Sequence, residues 1–70
     1  MMRRNLLKVL NLVRNHEPLW KGADEVKKAG LHPNTFRDAA EELVHHGALK
    51  RNKYLEGSVG RPRVYYEIKR

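Results

Sequence analysis

The sequence contains no cysteine, which excludes disulfides and thiolate-bound metal and leaves packing alone to hold the fold. A chain without cysteine also suits the cytoplasm. Long apolar runs are missing too. The opening MMRRNLLKVLNLV sets two arginines ahead of an apolar stretch, as a signal peptide does, but Lys8, Asn11 and Arg14 interrupt it and no small-residue cleavage site follows. No run approaches the roughly 18 apolar residues of a membrane span, so an amphipathic helix away from any membrane is expected. Acidic residues are scarce, with 8 Asp and Glu against 15 Lys and Arg, a net charge of +7. That balance points to a polyanionic partner, nucleic acid before membrane surface, with a charge-rich thermophile-type surface as the alternative. At 70 residues there is room for one domain, 1–70, with one small core and no large enclosed active site.

Met2, Leu6, Val9, Leu10 and Val13 recur at helical spacing and predict a first helix that ends before Pro18. Leu7 and Leu12 fall outside opposite edges of that stripe and are candidates for a dimer contact, or else isolated surface leucines. A short extended piece at Leu19 and Trp20 precedes a second helix, about Ala23 to Ala29. Asp24 and Glu25 in its first turn and Lys27 and Lys28 in its last complement the helix dipole, and Gly30 supplies a left-handed stop. A third helix follows after a tight turn, started by Pro33 and Asn34 and ended by Gly47. Phe36, Ala39, Ala40 and Leu43 share its apolar face, and Asn34, Arg37, Asp38, Glu41 and His45 occupy the other. Two helices joined so closely form a helix-turn-helix candidate.

From Ala48 the period becomes two. Leu49, Arg51, Lys53 and Leu55 alternate on one side of a strand; Val64, Tyr66 and Ile68 do so on a second, opposite Arg63, Tyr65, Glu67 and Lys69. Between them EGSVG reads as a hairpin loop, and Pro62 sits at the strand start, where a missing N–H is tolerated. Trp20 and Tyr66 are expected in the core; Tyr54 and Tyr65 stand open between packing and a stacking role.

Helix, short strand, helix, turn, helix and hairpin together resemble the winged helix-turn-helix DNA-binding family, small bacterial and archaeal-type transcriptional regulators of the α+β class. HPNTFRDAAEELVHHGALKR is similar to their recognition helix, with Asn34 and Thr35 at its start, Phe36, Ala39, Ala40 and Leu43 at buried positions, and Gly47 with Leu49 at its exit. Gly60-Arg61-Pro62 before Val64, Tyr65 and Tyr66 is similar to their wing. The resemblance implies double-stranded DNA as partner, the third helix in the major groove and the wing on the backbone or in the minor groove. It assigns contacts to Asn34, Thr35 and Arg37, and to Arg61 and Arg63 on the wing. Side-chain chemistry agrees: Arg pairs with guanine, Asn with adenine, and Thr donates to phosphate. Arg51 and Lys53 add basic contacts on the first hairpin strand, and His45 can reach phosphate when protonated.

Residues 31–46 hold one basic and three acidic groups, so the supposed recognition helix is the acidic part of a basic chain. Glu41 can pair with Arg37 one turn earlier while Asp38 accepts from cytosine. Alternatively the helix avoids the groove and the domain docks onto a protein in a replication or transcription assembly. Adjacent His45 and His46 point about 100° apart and make a poor metal pair, and no nucleophile with its base is evident. Neither metal, cofactor, small-molecule ligand nor enzymatic activity is expected. A module this small favours a homodimer, since two-fold symmetry doubles the surface that reads DNA.

Overall fold

A computed structural model describes residues 2–54 and 62–70, with side chains from Asn5 onward. Its elements are α1 (Met2–His16), β1 (Leu19–Trp20), α2 (Asp24–Lys28), α3 (Pro33–His45), β2 (Leu49–Tyr54) and β3 (Arg63–Ile68). The strands form one antiparallel sheet in the order β1-β3-β2, giving an α+β arrangement of three helices on a small sheet. No helix among the described residues is long and apolar enough to cross a membrane. The expected hairpin loop at residues 56–60, with Arg61 and Leu55, lies outside the described residues.

Local chemistry sets the helix ends. Gly30 and Gly47 both have positive φ, 78° and 82°, the conformation that glycine adopts without a Cβ clash. After α2, Gly30 N–H donates to the Lys27 carbonyl at 2.9 Å and Leu31 N–H to Val26 at 3.2 Å. After α3 the pattern repeats, from Gly47 to Val44 at 3.0 Å and from Ala48 to Leu43 at 2.9 Å. These paired bonds satisfy carbonyls that a helix end leaves open, and they swing Leu31 back over buried Val26. The start of α3 differs from expectation. Its cap is His32, whose Nδ1 accepts from Asn34 N–H at 3.1 Å, while Pro33 takes the first helical position. An unprotonated imidazole nitrogen accepts that N–H in the position that a serine or aspartate oxygen commonly takes.

The core gathers Val9 and Val13 of α1, Val26 and Leu31 around α2, Phe36, Ala39, Ala40 and Leu43 of α3, and Leu19, Leu49 and Tyr66 of the sheet. Fully buried Ala39 and Ala40 present only methyl groups, so α1 packs closely on α3. Phe36 meets Tyr66 edge-to-face with centroids 5.8 Å apart, an arrangement that matches ring edge to ring face. Alternation decides what the sheet buries: Leu19 and Tyr66 face each other across β1 and β3, as do Leu49 and Ile68 across β2 and β3. Trp20, expected in the core, therefore takes the opposite face from Leu19 and is only half-buried.

Glu17 joins the end of β3 to the chain before β1. One carboxylate oxygen accepts from Ile68 N–H at 3.0 Å, and both accept from the Arg70 guanidinium. Arg70, and then the Ile68 N–H, hold the Glu17 carboxyl below the ordinary glutamate value of 4.5. A lowered folded-state pKa means that this contribution is complete above the unfolded value and fades as pH falls through the folded one. Urea midpoints of the native chain should accordingly decline below about pH 4.5, and Glu17→Gln should decline less over the same range. Parallel pH curves for the two proteins would show that Glu17 has no such role.

Candidate functional site

The face of the sheet that meets the helices is only partly covered. Along β2, Leu49 is buried beneath α3, whereas Arg51 and Lys53, on the same face, emerge beside the helix. Opposite them on β3 lie Tyr66 and Val64. The uncovered end forms a cleft of about 450 Å³ between the outer side of α3 and the two long strands. Arg37 and Glu41 line it from the helix, Arg51, Lys53, Val64 and Tyr66 from the strands, and Trp20, Lys21 and Pro62 from its rim.

Glu41 organises this cleft. One of its oxygens accepts from Arg51 Nη1 at 2.5 Å, and the other from the Tyr66 hydroxyl at 2.5 Å. Tyr66 is 1% exposed; burial, reinforced by the Glu41 carboxylate, pushes its phenol well above the ordinary value, so it stays a donor through the physiological range. One carboxylate thus ties α3 to both β2 and β3. The expected Arg37–Glu41 pair is replaced by this arrangement, because the sheet supplies two donors to Glu41 directly. Arg37 instead reaches its neighbour Asp38 at 3.1 Å, an exposed pair of the kind worth about 0–1 kcal/mol and readily exchanged for another partner.

Of the residues singled out in the sequence, Arg37, Arg51 and Lys53 converge on the cleft. Asn34 and Thr35 lie up to one turn earlier on α3, Asn34 exposed and Thr35 half-buried. Asp38 is exposed beside Arg37. Arg63 lies with its guanidinium carbon 4.2 Å from the centre of the Trp20 ring, at the cleft's rim. His45 stands apart at the C-terminal end of α3, its ring edge-on to His46 at 5.6 Å. Eleven residues at 1.5 Å rise separate it from Asn34 by about 16 Å. Arg61 lies outside the described residues. Leu7 is 66% exposed, whereas Leu12 is half-buried against the domain's own core. Among the described residues no three His, Asp or Glu side chains gather as metal ligands.

Sequence reasoning missed Lys21, Trp20 and the part played by Glu41. Ten residues separate Glu41 from Arg51 and 25 separate it from Tyr66, so no helical spacing connects them. The available signal was strand parity, which puts Arg51 and Tyr66 on the face that α3 covers.

Comparison with known proteins gives no match, whether to a family model, a curated protein or a solved structure.

Proposed function

We propose that this chain is a winged helix-turn-helix domain that binds double-stranded DNA as a small transcriptional regulator. The observation that carries the reading is the cleft itself. Four basic side chains, Lys21, Arg37, Arg51 and Lys53, meet between α3 and the hairpin, and the carboxylate among them is held by Arg51 and Tyr66. A phosphate strand running along this cleft sets the N-terminal half of α3 against the major groove, where Asn34, Thr35 and Arg37 read bases, and leaves the hairpin strand with Arg63 beside the backbone. The acidity of α3 is offset at Asp38 and Glu41, which face cations of the domain, while Glu42 lies 3.9 Å from His46. A second copy, contacting through the α1 surface around exposed Leu7, gives a dimer that reads two half-sites.

Base readers and backbone binders respond differently to mutation. With a preferred duplex selected from genomic fragments, Asn34→Ala and Arg37→Ala should each cost about 1–3 kcal/mol on that duplex and little on a random one. Lys53→Ala should weaken both duplexes alike. Competition titrations separate the two patterns. Equal losses on both duplexes for all three variants would remove α3 from the groove.

A further inference from the structure

The sheet's other face has a composition of its own. Trp20 lies opposite Tyr65, which lies opposite Asn52, so one cross-strand row carries two rings. Tyr54 and Arg63 form the next row. Tyr54 and Tyr65 meet edge-to-face with centroids 5.0 Å apart, and Arg63 stacks on Trp20. Three of the chain's five aromatic residues thus contact one another or a guanidinium, and none belongs to the hydrophobic core or packs against it. Tyr54 is 44% exposed. Trp20 also lines the basic cleft, so this aromatic face continues around the sheet edge into Lys21, Lys53 and Arg37.

We infer that this outer face binds single-stranded nucleic acid, with phosphates in the cleft and unpaired bases stacked on Tyr65, Tyr54 and the guanidinium of Arg63, which Trp20 backs from below. Ring faces and a guanidinium plane are partners for the flat face of a base. A duplex hides those faces inside its stack, so it cannot use this surface, and the inference goes beyond duplex binding. The net charge of +7 and the lysines at the rim supply the attraction for the sugar-phosphate chain.

Trp20 is the chain's single tryptophan, so its fluorescence reports directly on this face. An oligothymidylate of about ten nucleotides should quench it and bind at least about fivefold more tightly than an abasic deoxyribose-phosphate oligomer of equal length, as one stacked base requires. Tyr54→Ala and Tyr65→Ala should each weaken the oligothymidylate by about tenfold, leaving the abasic oligomer and duplex DNA unaffected. Circular dichroism confirms folding, and exposed Tyr54 provides the variant least able to disturb it. Equal affinity for the two oligomers, or variants that lose stability without losing oligothymidylate binding, would overturn the inference and reduce the rings to sheet packing. Loss of duplex binding with oligothymidylate binding intact would instead count against the DNA-regulator reading alone.

Discussion

Phe36→Ala is expected to leave a large fraction of the protein unfolded at room temperature. Phe36 of α3 is fully buried in the core, and its ring meets that of Tyr66 on the sheet edge-to-face. Truncating such a ring costs about 3–5 kcal/mol, the lost transfer energy plus that of the cavity left behind. A domain of this length has roughly 4–10 kcal/mol in all, at 0.05–0.15 kcal/mol per residue. No disulfide backs up the core, so nothing covalent limits the loss. Urea titration followed by circular dichroism measures it. A midpoint change worth less than about 1 kcal/mol, as for a surface substitution, would mean that the packing around Phe36 is not as described. The same variant bears on function, because Tyr66 both closes the core under Phe36 and donates to Glu41 in the cleft.

The largest functional loss is expected from Lys21→Glu combined with Lys53→Glu. Both lysines line the cleft, and neither takes part in the Glu41 network, so reversing them changes the field without dismantling the site. Two unit charges 4 Å apart in water interact by about 1 kcal/mol. Reversal removes one such attraction and adds a repulsion at each position, about 4 kcal/mol for the pair before screening. Salt at 0.1 M reduces that figure, and duplex affinity should fall by roughly a hundredfold or more. The variant's urea midpoint should stay close to that of the native chain. A duplex affinity within about threefold of native, under conditions where Coulomb effects of this size operate, would place the DNA elsewhere.

The sequence made the helices and the hairpin legible because their signals are local. The 3.6-residue stripe of Val9 and Val13, the dipole charges around α2, Gly30 and Gly47, and the switch to period two at Leu49 each depend on residues within a few positions of one another. Tyr66 was placed correctly from its alternation. Trp20 was not, because size and aromaticity suggested burial, while the parity of a two-residue strand with buried Leu19 turned it outward. His32 carries none of the short oxygen-bearing side chains that commonly mark a helix start, although its Nδ1 serves the same donor. The candidate site was half legible: Arg37, Arg51 and Lys53 could be named from charge and pattern, but their meeting in one cleft depends on how α3 crosses the sheet. Glu41 shows the limit most clearly. Its visible partner was Arg37 at helical spacing, and the partners it takes come from strands 10 and 25 residues away.

The most direct measurement is the affinity of the native chain for a labelled random duplex across a series of salt concentrations, with genomic fragments as competitors. Cationic side chains lining one cleft predict a log–log slope of about −0.9 for each phosphate engaged, amounting to several phosphates, with one fragment outcompeting the rest. The Lys21→Glu, Lys53→Glu chain should give a visibly shallower slope. A native slope near zero, or no duplex binding even at low salt, would contradict the assignment of the cleft to DNA.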